Sequence, residues 1–303
     1  MGEQQGRFDM PPLPTITAAD VQNLIPNATE IAEAGDGGQK VVFRARIGGV
    51  LYAVKFSAVG TIADDPQDIE ASDVLARAKR EVETMRECQS PYMVKIGPID
   101  LQLVTVGKQR VLMFTEEFIE GKNLREILRD HGPISQKEAV QLGIEIGFAV
   151  KELWDRGKVH RDIKPANIMR RASNGQFVLL DAGLAFDVQG ESLSIGPVGT
   201  PKYFSPEQFQ FNDRRTMLDF RSDLFSLGVT IYEMATGRHP FFSTGDTSQL
   251  LYQRITKAAA LAPSAVRPEL TTEFDEIIQR MLGKSPHLRP RKCETLINAL
   301  KGL

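Results

Sequence analysis

The sequence predicts an α+β fold in which a strand-rich first third is followed by a longer helical part. Its 303 residues are enough for two lobes that each bury a hydrophobic core. Apolar residues alternate with a period of two over residues 50–56, which is typical of a strand. Residues 135–138 have the sequence Ser-Gln-Lys-Glu, a helix capping box. Strands are therefore expected early in the chain and helices later.

Composition excludes several classes of function. With 42% hydrophobic and 25% charged residues the chain is an ordinary globular protein, and its net charge of −2 gives no electrostatic reason to expect nucleic acid or an anionic membrane as a ligand. No apolar run approaches the roughly 20 residues of a membrane-spanning helix. The start of the chain lacks the pattern of a signal peptide. The cysteines, Cys88 and Cys293, are too few for a disulfide framework, so we expect a cytoplasmic protein without a membrane span.

The first 27 residues are predicted to be an extension. Residues 10–14 have the sequence Met-Pro-Pro-Leu-Pro, which cannot be helical and favours a tether over a docking ligand for an aromatic-lined groove. Residues 17–25 predict a short helix that is capped by Thr17 and packed on the body of the protein. The extension is also a candidate site for a regulatory partner.

Strand and helix patterns then follow in order. Residues 31–45 predict two strands around a glycine-rich turn, either a plain hairpin or a lid whose backbone N–H groups approach phosphates. On the strand 50–56, Lys55 shares a face with Leu51 and Ala53. Residues 61–71 are an acidic connector, and apolar residues at helical spacing from 74 to 85 predict a helix that contains Glu81.

Helices dominate the rest of the chain. Strands are predicted at 104–106, 111–114 and 177–180, and a short helix begins at Asn123. The helix that follows the capping box is expected to carry Ile144, Phe148 and Trp154 inward and to end near Gly157. The helix that runs from 222 through Met234 is apolar nearly all round, which predicts burial.

One polar loop contains several side chains of types that are used in catalysis. Asp162, Lys164 and Asn167 fall within six residues, and Pro165 breaks any helix between them, so their side chains can face one site. A carboxylate can accept a proton from a hydroxyl, a lysine can neutralise a phosphate, and an amide oxygen can bind a hard cation.

The loop His-Arg-Asp-Ile-Lys-Pro-Ala-Asn at 160–167 resembles the catalytic loop of the protein kinases, in the form used by serine/threonine-specific members. Other stretches resemble further kinase motifs in the expected order, at residues 52–55, 90–94, 181–183, 199–207, 222–228 and 285–290. The resemblance covers the chain from about Ile31 to its end. It implies a bilobal protein-kinase fold over 28–303, with a small β-rich N-lobe (28–117) that carries helix αC, a hinge (117–121) and a larger helical C-lobe (122–303).

The resemblance also implies roles for individual residues. Asp162 and Lys164 are the implied catalytic residues, and Asn167 and Asp181 are the implied ligands of Mg²⁺. Lys55 would bind ATP phosphates and pair with Glu81. The full set of implied ATP-binding residues is Ile31, Ala34, Gly35, Gly37, Gly38, Val42, Ala53, Lys55, Glu81, Glu117, Phe118 and Met169. The implied structural residues are Arg161, Glu207, Asp223 and Arg289, with Asp223 holding the catalytic loop and Arg289 pairing with Glu207. Ser192, Ser194 and Thr200 lie in the implied activation segment, as candidates for autophosphorylation.

The sequence departs from the family pattern in three places. Ala32 and Ala34 stand where the first two glycines of the lid belong, and Lys40 falls on the third. Ala182 replaces the Phe of the Asp-Phe-Gly motif, which predicts weaker packing against helix αC. The gatekeeper position behind adenine falls on Glu116 by a gap-free count and on Thr115 if the strand has a one-residue bulge; a carboxylate there is costly unless it is paired.

These observations leave three functions to compare. The first is an ATP-dependent serine/threonine protein kinase that transfers the γ-phosphoryl group of Mg-ATP to protein substrates. The second is a pseudokinase that binds nucleotide or acts as a scaffold, which is favoured by the altered lid, by Ala182 and by the alternative in which Glu116 is the gatekeeper. The third, a small-molecule kinase of the aminoglycoside type, ranks last because such enzymes generally lack the motif found here at 199–207.

Overall fold

The computed structural model describes residues 13–37, 40–65, 67, 73–182, 186–187, 201–210 and 218–303. These residues form two compact units, each with its own core. The N-terminal unit comprises the described residues of 1–82 and 95–118, and the C-terminal unit comprises those of 83–94 and 119–303.

The N-terminal unit is built on a five-stranded antiparallel sheet with the strand order β1-β2-β3-β5-β4. The strands are β1 (Thr29–Gly37), β2 (Lys40–Ile47), β3 (Val50–Thr61), β4 (Gln102–Val106) and β5 (Gln109–Glu117). One face of this sheet is covered by helix α1 (Ala18–Leu24), whose Val21 is fully buried beside Phe43 and Phe56. The Thr17 side chain accepts a hydrogen bond from the Asp20 amide in a complete capping box, so the predicted capped helix on the body of the protein is confirmed.

Helix α2 (Asp73–Glu87) follows β3, as the helical spacing predicted. The next elements are β6 (Gly121–Asn123), α3 (Leu124–His131), the 20-residue α4 (Gln136–Asp155) and β7 (Lys158–Val159). The Asn123 and Ser135 side chains cap α3 and α4 in capping boxes, where the sequence predicted helix starts. Within the described residues, three strands come next, β8 (Ile168–Arg171), β9 (Phe177–Leu179) and β10 (Phe186–Asp187), together with three 3-10 turns, Pro165–Asn167, Pro201–Tyr203 and Pro206–Gln210.

The C-terminal unit is organised around helix α5 (Phe220–Thr236), whose residues other than Arg221 and Glu233 are all buried. This confirms the prediction of a helix that is apolar nearly all round. The remaining helices are α6 (Ser248–Lys257), α7 (Pro263–Val266), α8 (Thr272–Met281) and α9 (Cys293–Lys301). The predicted α+β class, with strands early and helices later, is therefore confirmed.

The predicted inward face of α4 was wrong in part. Ile144, Phe148 and Trp154 are only half-buried at the edge of the core. Smaller residues provide much of the fully buried face, which contains Ala139, Leu142, Gly143, Ile146, Gly147, Ala149, Val150 and Leu153. An added Cβ at Gly143 would lie 2.6 Å from Leu300, so small residues let α9 approach closely, and hydrophobic bulk alone does not mark this face.

Within the described part of the chain, no helix combines the length and the apolar character needed to cross a lipid bilayer.

Candidate active site

The catalytic loop of the C-terminal unit is anchored to helix α5 by one buried carboxylate. Asp223, near the first turn of α5, accepts hydrogen bonds from the backbone amides of His160 at 2.7 Å and Arg161 at 2.9 Å. Arg161 has a φ of 67°, a left-handed backbone conformation that costs free energy in a residue with a side chain. The two hydrogen bonds to Asp223 offset that strain, so the contact predicted for Asp223 is present.

The His160 ring holds the loop from its other side. Its Nδ1 accepts a hydrogen bond from the Asp162 amide at 3.3 Å, which leaves Nε2 as the protonated nitrogen, 3.1 Å from the carbonyl oxygen of Leu180. The ring is fully buried, and it links the backbone of the catalytic loop to the residue that precedes Asp181.

Asp162, Lys164 and Asn167 converge as the spacing predicted. Lys164 Nζ lies 2.8 Å from Asp162 Oδ2, and Asn167 Nδ2 donates to the same oxygen at 2.9 Å. Asn167 Nδ2 also donates to the main-chain oxygen of Asp162 at 2.9 Å. Pro165 begins the 3-10 turn that brings Asn167 back toward Asp162. Two donors on Oδ2 therefore hold the Asp162 carboxylate in one orientation.

A backbone hydrogen bond joins the two segments that carry the predicted metal ligands, Asn167 and Asp181. The Leu180 amide donates to the Asn167 carbonyl at 2.8 Å, which places Asp181 one residue beyond this link. Both hydrogen bonds of the Asn167 side chain leave from Nδ2, so its amide oxygen points away from Asp162. An amide oxygen and a nearby carboxylate are the oxygen donors that Mg²⁺ prefers, so these residues fit the predicted ion. Asp181 has a φ of 55°, a second strained position beside the catalytic loop.

In the N-terminal unit, the strand register places several predicted nucleotide-binding residues on one sheet face. Lys55 on β3 lies opposite Val42 on β2 and opposite Phe114 on β5, and Ala53 lies opposite Glu116. Residues paired in this way point to the same side of a sheet. This is the face opposite to the one that α1 covers.

Lys55 and Glu81 form the predicted ion pair. Lys55 Nζ lies 3.2 Å from Glu81 Oε1, and both side chains are buried. Two further contacts were not predicted from the sequence. Lys55 Nζ lies 2.8 Å from Glu116 Oε2, and Lys40 Nζ lies 2.5 Å from Glu81 Oε2.

The register of β3 and β5 decides between Thr115 and Glu116 at the gatekeeper position. The pairing runs without a shift from Tyr52 to Ala58. The alternative of a one-residue bulge, which would have put Thr115 on the Lys55 face, is therefore wrong. Thr115 points to the other face, where its Oγ1 accepts a hydrogen bond from the Ile99 amide at 2.8 Å. Glu116 faces Lys55 instead. Burial raises the pKa of Glu116, and the Lys55 ammonium, which is its ion-pair partner, acts in the opposite direction.

The predicted lid is a β1–β2 hairpin in which Gly35 pairs with Val42 and Gly37 pairs with Lys40. Gly35 has a φ of 136°, which a residue with a side chain rarely adopts. Ile31 is half-buried and Ala34 is exposed on β1. Gly38 lies outside the described residues.

The other residues implied by the resemblance lie in both units. In the N-terminal unit, the Glu117 amide donates to the Lys95 carbonyl at 2.8 Å, and Phe118 is half-buried. In the C-terminal unit, Met169 is half-buried on β8 and Ala182 is fully buried. Ser192, Ser194 and Thr200 lie outside the described residues.

Glu207 and Arg289 form the predicted pair. Arg289 is 1% exposed and donates from both terminal nitrogens to the Glu207 carboxylate, at 2.5 and 2.9 Å. The Ser222 hydroxyl donates to the same carboxylate at 2.7 Å. This bidentate pair ties the start of α5 to the turns around residues 207 and 289.

Comparison with known proteins agrees with this geometry. The protein kinase domain family matches residues 29–299. The probable serine/threonine-protein kinase PknB of Bifidobacterium longum is 34% identical over 226 residues, which cover 72% of this chain and 32% of that protein. The serine/threonine-protein kinase PknB of Mycobacterium tuberculosis is 34% identical over 217 residues, 70% of this chain and 33% of that protein. The probable serine/threonine-protein kinase CPE1738 of Clostridium perfringens is 27% identical over 285 residues, 93% of this chain and 39% of that protein.

The chain therefore belongs to the protein kinase domain family, and the resemblance drawn from its motifs is confirmed. It spans between 32% and 39% of the length of these three relatives.

Proposed function

We propose that this chain is an ATP-dependent serine/threonine protein kinase, which transfers the γ-phosphoryl group of Mg-ATP to serine and threonine hydroxyls of protein substrates. The observation that carries the proposal is the convergence of Lys164 and Asn167 on one oxygen of Asp162, at 2.8 and 2.9 Å. Lys164 is the residue by which the loop resembles serine/threonine-specific kinases, and the relatives named above carry that designation.

In this proposal Asp162 orients the substrate hydroxyl and accepts its proton. The hydrogen bonds from Lys164 and Asn167 fix the carboxylate before the substrate arrives, which lowers the cost of reaching a productive geometry. Lys164 also neutralises charge on the phosphoryl group in transfer. Phosphoryl transfer of this kind depends on position and charge rather than on a covalent intermediate.

Lys55 binds nucleotide phosphates in the proposed reaction. Its pairing with Glu81 keeps the ammonium extended along the sheet face that carries Ala53 and Val42. Asn167 and Asp181 would hold Mg²⁺, which neutralises phosphate charge when bound.

A phosphorylation assay tests the proposal directly. The purified chain is incubated with γ-labelled ATP, Mg²⁺ and serine- or threonine-containing protein and peptide substrates. Asp162→Asn is expected to lower the transfer rate at least about 100-fold while nucleotide affinity is retained, because it removes the proton acceptor. Asp155→Asn is the matched control, since Asp155 is a carboxylate on α4 whose side chain is 51% exposed. Equal rates for Asp162→Asn and the unaltered chain would refute the proposal.

A nucleotide-binding pseudokinase is the second candidate, and the contact between Lys55 and Glu116 is the observation that favours it. A lysine shared by two carboxylates is less available to phosphate. Two contacts argue against a pseudokinase. Lys55 pairs with Glu81 in the N-terminal unit, and Asn167 donates a hydrogen bond to Asp162 in the C-terminal unit. Binding of MgATP without any Asp162-dependent transfer would decide for the pseudokinase.

Two further expectations belong to the proposal. The activation-segment residues Ser192, Ser194 or Thr200 are expected to be autophosphorylated, and intact-mass spectrometry after incubation with MgATP that shows no added phosphate would exclude this. Cys88 and Cys293 are both buried free thiols, which supports a cytoplasmic, reducing location.

A further inference from the structure

Four charged side chains, of which Glu81, Lys55 and Glu116 are buried and Lys40 is half-buried, form a continuous row in the N-terminal unit. Lys40 contacts Glu81 at 2.5 Å, Glu81 contacts Lys55 at 3.2 Å, and Lys55 contacts Glu116 at 2.8 Å. The four side chains are 15%, 1%, 8% and 4% exposed in this order. Positive and negative groups therefore alternate along the row, with each inner group shared by two partners.

The residues at the two ends of this row are two of the departures from the family pattern. The motifs imply a lysine and a glutamate, here Lys55 and Glu81. This chain adds a carboxylate at the gatekeeper position, Glu116, and an ammonium where the third lid glycine belongs, Lys40. Added together, the two extra groups leave the formal charge of the row at zero, whereas either one alone would leave it charged.

The charge of Glu116 has a direct effect on Lys55. Lys55 Nζ lies closer to Glu116, at 2.8 Å, than to Glu81, at 3.2 Å. Without Lys40, one ammonium would serve two buried carboxylates, which is costly and would hold the lysine away from any other anion. Lys40 takes one oxygen of Glu81, and its charge also opposes the rise that burial causes in the pKa of Glu116.

We propose that Lys40 and Glu116 are a compensating pair of positioning residues, in which Lys40 engages Glu81 and offsets the charge of Glu116, so that Lys55 stays available to nucleotide phosphates. The inference rests on the proposed function, since it concerns how the nucleotide is bound. It goes beyond it by assigning a role to two residues at which this chain departs from the family motifs.

A double-mutant cycle tests the pair. The dissociation constants of MgATP and of adenosine are measured by calorimetry for the full chain, Lys40→Met, Glu116→Gln and the double variant. Lys40→Met is expected to weaken MgATP binding about tenfold in the unaltered background, a size typical of coupling between residues in one charge network. In the Glu116→Gln background the same change is expected to weaken MgATP binding about twofold or less, because Lys55 then has one carboxylate partner.

Adenosine separates positioning from structure. It carries no phosphate, so Lys40→Met should leave its affinity unchanged, whereas a general distortion of the site would weaken both ligands. Lys40→Arg, which keeps the charge, should bind MgATP within about twofold of the unaltered chain. If Lys40→Met does not fold, Lys40→Gln takes its place in the cycle.

The inference and the proposed function fail in different ways. An equal loss of MgATP affinity on Lys40→Met in both backgrounds, or no loss in either, would overturn the compensating pair while leaving kinase activity standing. MgATP binding without phosphoryl transfer would overturn kinase activity while leaving the cycle interpretable. A chain that binds no MgATP would overturn both.

Discussion

The substitution Arg289→Met tests whether the bidentate pair with Glu207 holds the C-terminal unit together. The Arg289 guanidinium donates to the carbonyls of Gly283 at 2.7 Å and Arg221 at 2.8 Å, in addition to its two bonds to Glu207. Its carbon atom Cζ lies 4.9 Å from the centre of the Phe225 ring. Methionine would keep an unbranched apolar stem near that ring but would remove every donor.

The loss should be large because the remaining carboxylate is buried. Glu207 is 7% exposed and would keep one of the donors described above, the Ser222 hydroxyl. Removing one partner of a buried ion pair typically costs about 3–5 kcal/mol, since it leaves an uncompensated charge in a low-dielectric environment. We expect a loss in that range for the free energy of unfolding of the C-terminal unit.

Urea unfolding followed by tryptophan fluorescence measures this loss. Trp154 is the only tryptophan in the sequence, and its ring lies 5.3 Å from that of Phe220 at the start of α5, so its emission reports on the C-terminal unit. Arg129→Met is the matched control, because Arg129 pairs with Asp130 in the same unit with a side chain that is 70% exposed. The control is expected to cost less than about 1 kcal/mol.

The double variant Arg289→Met, Glu207→Leu adds a second comparison. It removes the stranded charge along with its partner, so it should be more stable than Arg289→Met alone. A loss for Arg289→Met no larger than that of the exposed control, or a double variant less stable than the single one, would refute the reasoning.

Two further predictions concern pH and packing. His239 accepts a hydrogen bond at Nδ1 from the Phe241 amide and donates from Nε2 to the Lys202 carbonyl, and burial lowers its pKa from 6.5 to about 4. Below pH 6.5 the unfolded chain therefore binds a proton that the folded chain does not. The free energy of unfolding, measured by urea titration, should fall by about 1 kcal/mol between pH 7.5 and 5.5. His239→Asn keeps the hydrogen-bond acceptor but cannot titrate, so an equal fall in this variant would contradict the prediction. Gly228→Ala would place a Cβ 2.8 Å from Met281 Cβ where α5 meets α8, so we expect a loss of about 1–3 kcal/mol in the same assay, and an unchanged urea midpoint would contradict this packing argument.

The contacts of the C-terminal unit were the most predictable part of the candidate site. Asp162, Lys164 and Asn167 lie so close in sequence that a proline-broken loop brings them together by local geometry alone. The pairs of Asp223 with the catalytic loop and of Arg289 with Glu207 join distant residues, and they could be predicted only because their motifs resemble those of a known family. In each case a short pattern identified both partners.

The charge row of the N-terminal unit could be predicted only in part. The cost of burying Glu116 indicated that it needs a partner, but the partner depends on strand register, which a one-residue bulge would have changed. The sequence singled out Lys40 only because it stands where the family pattern has a glycine. Its contact with Glu81 joins the start of β2 to α2 across 41 residues of sequence, and no local pattern encodes such a distance.

The two groups of functional residues are held by different kinds of force. Arg161 and Asp181 adopt left-handed backbone conformations, which persist only where surrounding structure over-determines them. Asp223, which restrains Arg161, belongs to α5, the helix that the C-terminal unit buries most completely. The geometry of the catalytic loop therefore depends on the hydrophobic packing of α5. Because that packing is not electrostatic, the loop geometry should be insensitive to salt. Lys55 is held on one sheet face by ion pairs with Glu81 and Glu116, and its Nζ lies 5.8 Å from the centre of the Phe114 ring; Lys40 is the most exposed of the four charged residues. Its availability to a nucleotide depends on a balance of charge that single substitutions at either end can shift without altering the fold.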